Sequence, residues 1–443
     1  MSALAQYRIA ARSAAELVAS IEAGVAAGAL LPGQQLPSVR RLAVEVGLSP
    51  ATVAAGLAEL RRRGVVVSEQ RRGTSIGPGP PIDSARRPLA LPAGTRELSR
   101  GNPDPALLPD LERVLAHLEL PMRLYGEAAA VPELTALARE QLRADGIPAE
   151  SVCVVNGALD GIERVLEAHL RPGDRVAVEN PGYAELFHLL RARGLHPEPV
   201  AVDERGMRPQ ELRGALARGA HALVITPRGQ NPTGAALDAA RARELREVLA
   251  AAPEALVIED DHLGLLADGP LHTTVAERPR WALTRSVAKA LGPDLRLAVL
   301  AGDARTVARV QGRQQRGPGW VSHILQRLVL ALWSEEQVRA QVVRAGALYA
   351  ARRELLLDCL KVRGVDARGA SGLNVWVPVE EETGVVAALL QRGWAVAPGA
   401  PYRLAASPPA IRVTIATLSA EEAERLAGDL AEVLSPALSS RSG

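Results

Sequence analysis

Amine chemistry in this chain rests on two residues, because Lys289 and Lys361 are the only lysines among 52 basic side chains. Lys289 lies just beyond the apolar run Trp281–Leu283, in Ser286-Val287-Ala288-Lys289-Ala290-Leu291-Gly292-Pro293-Asp294-Leu295-Arg296. Cationic neighbours and partial loss of water lower a lysine's pKa, which suits the amine to form a Schiff base with a carbonyl compound. The alternative is a structural ion pair with Asp260 or Asp261. Lys361 ends the amphipathic stretch Leu355–Leu360 and reads as a solvated charge at a helix end.

Further polar groups follow other apolar runs. Val152–Val155 leads into Asn156-Gly157-Ala158-Leu159-Asp160-Gly161, a turn into a helix whose free N–H groups suit a phosphate. Arg175–Val178 leads into Glu179-Asn180-Pro181-Gly182-Tyr183, and Ala222–Ile225 into Thr226-Pro227-Arg228-Gly229-Gln230-Asn231-Pro232-Thr233-Gly234. Ala255–Ile258 leads into Glu259-Asp260-Asp261-His262. Asn231 and Gly234 could equally be turn residues, Tyr183 a core residue and His262 a satisfied polar group. Arg412, late in the chain, could be a carboxylate clamp or a structural salt bridge.

These groups need a scaffold that gathers strand ends. Apolar runs alternating with amphipathic helical stretches, with a further run at Leu297–Leu300, indicate a mainly parallel sheet covered on both faces, with ligands at the carboxyl ends of the strands. The expected class is therefore α/β. Residues 98–340 form the large domain of this reading, and 341–443 a smaller α+β domain containing Gly372–Val377 and Ile411–Ile415.

The front of the chain is different. Leu17, Val18, Ile21 and Val25 recur at helical spacing between Ala14 and Ala29. Pro37-Ser38 opens a helix that Gly47 closes, and Ser49-Pro50 starts another reaching about Arg63, with serine at the cap and proline at the first helical position. Val65–Ser68 and Thr74–Ile76, joined by Gln70–Gly73, read as a hairpin. Helix, helix, turn, helix and hairpin make a winged helix-turn-helix over residues 1–77. Residues 78–97, crowded with proline and glycine, read as a linker.

The 443 residues, 47% hydrophobic, suffice for several buried cores, and no stretch approaches the length of a membrane span. The chain is expected to be cytoplasmic. Cys153 and Cys359 sit apart within apolar runs and read as buried thiols, with neither a disulfide framework nor a metal site expected. Residues 1–77 hold nine arginines against five glutamates, although the whole chain carries only +2. That asymmetry hints at nucleic acid, while a solvated arginine face or a helical dimerisation unit would be the bland reading.

Taken together, Asn231-Pro232-Thr233-Gly234, the acidic pair, Ser286-x-x-Lys289 with Arg296, and Arg412 resemble fold-type I pyridoxal-phosphate enzymes of the aspartate aminotransferase superfamily over roughly residues 98–435. Leu36–Ala43, Gly47-Leu48-Ser49, Thr52-Val53 and Gly73-Thr74 resemble the GntR winged helix-turn-helix. A chain joining the two is similar to MocR-type regulators.

The resemblance implies a cofactor, pyridoxal 5′-phosphate, linked to Lys289 as a Schiff base, with Asp260 rather than Asp261 on the pyridine nitrogen. Asn231 would bond the ring 3-hydroxyl, Tyr183 would stack on the ring, and Ser286, Arg296 and the amides of Gly157 and Ala158 would hold the phosphate. Arg412 would fork onto the carboxylate of an amino-acid-like ligand. Tyr125 would reach the phosphate across a homodimer interface. His262 stands where many such regulators have tyrosine and would alter the hydrogen bond to the 3-hydroxyl.

In the head, Ser38, Arg40, Arg41, Arg71, Arg72, Ser49, Thr52, Gly73 and Thr74 would face double-stranded DNA. Pro50-Ala51 replaces the arginine that often begins the recognition helix. The expected function is a regulator that senses an amino-acid-like or B6-type ligand at Lys289; the alternative is a working aminotransferase that carries a DNA-binding head.

Overall fold

The computed structural model describes residues 9–26, 29–31, 33–62, 65–69, 73–77, 91–267 and 269–435. Arg63, the turn Gln70–Arg72 and linker residues 78–90 lie outside the described residues. The chain divides into two compact units, one built chiefly on Met1–Pro88 and the other on most of the remainder.

The first unit contains α1 (Ala14–Ala26), α2 (Val39–Val46) and α3 (Pro50–Arg62), then the antiparallel hairpin β1 (Val66–Glu69) and β2 (Gly73–Ile76). Ser38 caps α2 by accepting from Arg41 N, and Gly47 stops it in the left-handed conformation at φ +71°, which a residue without Cβ adopts freely. The chain turns by 110° between α2 and α3. Leu17, Ile21, Leu42, Val53, Leu57 and Leu60 form the core on which the helices meet. Residues 33–36 join the hairpin as a third strand: Gly33 N donates to Ile76 O, Ile76 N to Gln34 O and Leu36 N to Thr74 O.

In the second unit β3 (Arg96–Glu97) precedes an eight-stranded sheet. Its members are β4 (Ser151–Val155), β5 (Arg175–Asn180), β6 (His196–Asp203), β7 (Gly206–Met207), β8 (Ala220–Ile225), β9 (Leu256–Asp261), β10 (Trp281–Ser286) and β11 (Ala298–Gly302). The strand order is β4-β11-β10-β9-β8-β5-β6-β7. Strands β10, β9, β8 and β5 run parallel, whereas β11 is antiparallel to both its neighbours. Leu223, Val257, Leu283 and Val299 have no exposed surface; each such side chain contributes about 1.5–3 kcal/mol relative to exposure.

Strand β9 extends three residues past the apolar run, so the acidic pair stands inside the strand rather than after it. Successive side chains on a strand point to opposite faces, and Asp260 and Asp261 are thereby separated.

The smaller region has an antiparallel sheet of β12 (Asn374–Pro378), β15 (Ala410–Thr414) and β14 (Ala397–Pro398), while β13 (Trp394–Ala395) pairs with β3. The expected boundary at residues 340/341 falls inside a continuous helix, Glu336–Val362, of 27 residues. Cys153 is buried and Cys359 half-buried. No single helix among the described residues is long and apolar enough to cross a membrane.

Candidate functional site

The carboxyl ends of the parallel strands open into a cavity of about 500 Å³, a size typical of small-molecule sites. Gly157, Ala158, Tyr183, Asn231, Asp260, His262, Ser286, Lys289, Arg296 and Arg412 all line it. Residues from six separate segments of sequence thus meet around one space.

Lys289 stands on the short helix Ala288–Leu291 directly after β10, and its amine donates to the Gly101 carbonyl rather than pairing with a carboxylate. Burial first, then the nearby Arg412 charge, brings its pKa down to about 8. Across the cavity Asp260 is pushed up to about 7, mainly by burial and then by the charge of Asp261, with Thr284 Oγ1 at 3.4 Å opposing.

Asp261 faces the other way, wholly buried, and accepts from Arg228 Nε at 2.9 Å and Arg285 Nε at 2.7 Å. Burial alone would raise its pKa, yet the two guanidinium charges hold it at about 2. Asp261 is therefore a structural counter-ion, and Asp260 is the member of the pair that faces the cavity.

One end of the cavity is shaped for an anion. Helix Ala158–His169 starts at Gly157, whose φ of +92° and ψ of 165° are open to glycine alone without strain. A Cβ there would sit 3.2 Å from Arg296 Nη2, so the bare backbone lets the guanidinium lie over the helix start. Ser286, the last residue of β10, completes this end.

At the other end Arg412, 4% exposed, bonds Asn231 Oδ1 at 2.8 Å through Nη1 and the Ser99 carbonyl through Nη2. Its Nε is buried with no hydrogen-bond partner, and its guanidinium lies 5.0 Å from the Tyr402 ring centre. Among the described residues no salt bridge accounts for this arginine. His262 lies against Gly229 O at 2.8 Å through Nε2. A carbonyl only accepts, so the proton sits on Nε2 and leaves Nδ1 an acceptor. Burial and the Lys289 charge lower its pKa to about 4, keeping the ring neutral.

Several lining residues were not anticipated: Ser99, Gly101 and Asn102, Asn374 and Tyr402. Tyr402 is brought in by long-range bonds, with Asn180 Oδ1 accepting from Leu404 N at 2.8 Å and Gly182 N donating to Tyr402 O at 2.8 Å. Asn180 stood among the polar residues of its strand end, the one signal available. Behind the cavity Glu179 is buried, accepts from Thr226 N and Gln230 Nε2, and is driven up to about 8 by burial.

Tyr125 is not in the cavity of this chain. It is 92% exposed and packs edge-on to Trp320 at 5.7 Å. In the head, Ser49 Oγ accepts from Thr52 N at 3.1 Å and pairs with Thr52 Oγ1 at 2.8 Å, so both serve the cap of α3. Arg40 is exposed, Arg41 pairs with Glu45 at 3.0 Å, and Gly73 and Thr74 begin β2. Arg71 and Arg72 fall outside the described residues.

Residues 105–430 match the family of class I and II aminotransferases, and residues 13–76 match the bacterial regulatory proteins of the gntR family. The chain belongs to the MocR-type regulators. As a member it is a DNA-binding transcriptional regulator whose larger part has the pyridoxal-phosphate-dependent transferase fold.

This regulator is 40% identical over 431 residues to the vitamin B6 salvage pathway transcriptional repressor PtsJ of Salmonella typhimurium, covering 96% of this chain and 99% of the relative. It is 28% identical over 374 residues to the pyridoxine biosynthesis transcriptional regulator PdxR of Corynebacterium glutamicum, covering 78% of each. Among solved structures, an archaeal alanine:glyoxylate aminotransferase superposes with a TM-score of 0.70 at 23% identity, covering 77% of this chain and 90% of that one. That likeness concerns the fold alone.

Pyridoxal 5′-phosphate is the cofactor that membership brings, and the cavity fits it. An amine of lowered pKa, a carboxyl group opposite, and a helix start flanked by Ser286 and Arg296 match its aldehyde, ring nitrogen and phosphate.

Proposed function

We propose that this regulator senses a B6-type aldehyde, pyridoxal phosphate itself, at Lys289, and that occupancy of the pocket alters how a homodimer holds DNA. The observation that carries the reading is the Lys289 amine, the single lysine of the cavity, poised at a pKa of about 8 among groups suited to the rest of that molecule. The functions of two relatives, both concerned with vitamin B6, support it.

When bound, the cofactor supplies an aldehyde that condenses with amines and a ring that draws off electrons. Lys289 would hold the aldehyde end and Asp260 the ring nitrogen. Asn231 and the neutral His262 would face the ring oxygen, Tyr183 would cover the ring, and Gly157, Ala158, Ser286 and Arg296 would hold the phosphate.

Tyr125, beside exposed Leu120, Met122 and Leu124, suits a surface buried by a second copy and reaching that copy's phosphate end. Arg40 and Arg41 suit DNA phosphates; Ser38, Ser49, Thr52, Gly73 and Thr74 are placed to shape the local fit against a groove. The cytoplasm, where DNA and free pyridoxal phosphate meet, is the proposed place of work.

A second reading, transamination of an amino-acid-like ligand, is favoured by Arg412, whose buried Nε lacks a partner in the cavity wall. The absorbance spectrum of the protein with pyridoxal phosphate, and then with single amino acids, separates the two. A Schiff-base band that Lys289→Ala removes and that amino acids leave unconverted supports sensing. Steady release of a keto acid supports transamination, and absence of any band overturns both.

A further inference from the structure

The two cations of the pocket also grip the backbone just beyond the linker. Arg412 Nη2 donates to the Ser99 carbonyl and Lys289 Nζ to the Gly101 carbonyl. Gly101 is buried, so its carbonyl needs a donor. On its other side the same stretch is tied to β13 and to the small sheet: Leu98 N donates to Ala395 O at 2.8 Å, Thr414 N to Leu98 O at 2.8 Å, and Gly101 N to Thr414 Oγ1 at 3.1 Å. Ser99 N and Oγ both donate to Glu97 Oε1, at 2.7 and 2.5 Å. Residues 96–102 are thus strung between the sheet and the pocket's cations.

The grip on Gly101 cannot survive unchanged when the pocket fills. Condensation of the Lys289 amine with an aldehyde forms a C=N bond and expels water. The nitrogen that carried two or three protons then carries at most one. A carboxylate or phenolate near Arg412 likewise competes with Ser99 O for its Nη2 proton.

On the reading given above, we propose that Ser99–Asn102 is a strap that reads pocket occupancy: free Lys289 and Arg412 hold its carbonyls, and an occupant takes those donors away. The strap is continuous through β3 with the chain that leads to the DNA-binding head, so its release changes the end from which the linker is held. No contact between the two units is required. The signal passes along the covalent chain.

Hydrogen–deuterium exchange over residues 98–103 tests the strap. In cofactor-free protein, Lys289→Ala removes the donor to Gly101, and exchange in this stretch is expected to rise about fivefold or more over wild type. Pyridoxal phosphate is expected to produce a rise in the same direction in wild type and none in Lys289→Ala. Glu97→Gln weakens the Ser99 anchor at a residue outside the cavity lining, one that also pairs with Arg100. It is expected to keep the Schiff-base band while losing most of the cofactor's effect on DNA affinity, an effect typically 5–150-fold where two sites are coupled. Should Glu97→Gln fail to fold, Glu97→Asp, which keeps the charge and withdraws the carboxylate from Ser99, serves instead.

Equal exchange in cofactor-free wild type and Lys289→Ala overturns the strap, even if the band and a cofactor-dependent change in DNA binding are both present. A missing band overturns the reading of the pocket, while the cofactor-free comparison still decides whether Lys289 holds the strap.

Discussion

At the scale of single residues, the site works by pushing ionisable groups apart. Lys289 is lowered to about 8, so the neutral nucleophile is available near physiological pH. At pH 7.5 such an amine is roughly one-quarter neutral, against roughly one part in a thousand at an ordinary lysine pKa. The rate of pyridoxal-phosphate capture should therefore rise tenfold per pH unit below about 8 and flatten above it, as stopped-flow absorbance would record; a rise continuing toward pH 10 would mean the amine is not depressed.

The adjacent aspartates divide their labour. Asp260→Asn should weaken cofactor binding by the worth of a charged hydrogen bond, about 1.5–3 kcal/mol or roughly 10–100-fold, with little change in melting. Asp261→Ala should instead cost about 3–5 kcal/mol of stability, because it leaves buried Arg228 without a carboxylate and Arg285 with Asp145 alone. Equilibrium titration and denaturant unfolding of both variants check the split.

Lys289, Asp260 and Arg412 were legible because one of only two lysines, an acidic pair and a late arginine follow in a recognisable order. Glu179 and Tyr402 were not, since nothing local marks a buried carboxyl behind a site or a tyrosine that arrives through bonds to Asn180 and Gly182.

At the scale of elements, uninterrupted apolar runs disclosed the strands because a sheet covered on both faces must be apolar on both. The antiparallel run of β11 was not visible, since a buried strand looks alike in either direction. Nor was the unbroken helix Glu336–Val362, whose buried face recurs at helical spacing from Val338 to Leu360 but includes Gly346 and Arg353, while Val343 and Leu348 are exposed, so the apolar contrast is weak. Caps were more reliable: Ser38 and Gly47 bound α2 as their chemistry demands.

The start of helix Ala158–His169 carries a sharp expectation. Gly157→Ala imposes a conformation that costs about 1–3 kcal/mol and sets a Cβ against Arg296, so both the melting temperature and phosphate-end affinity should fall. Comparable binding of pyridoxal phosphate and unphosphorylated pyridoxal by wild type would contradict the assigned anion cradle.

At the scale of the whole molecule, the head supplies DNA affinity and, on the proposed reading, the larger unit supplies its control. Arg40 is exposed on α2, and on the proposed reading it meets a phosphate. Arg40→Ala should weaken binding to all sequences alike and reduce the slope of log affinity against log salt by about 0.9, as a salt series of titrations would show. The linker resisted interpretation because proline and glycine without an apolar period specify stiffness but no place to pack.

The most direct test of the account is fluorescence-anisotropy titration of DNA from upstream of the protein's own gene, with and without pyridoxal phosphate, for wild type and Lys289→Ala. The account predicts that the cofactor shifts the wild-type dissociation constant about fivefold or more and leaves Lys289→Ala unmoved. An equal shift in both proteins, or none in wild type that shows the Schiff-base band, would contradict it.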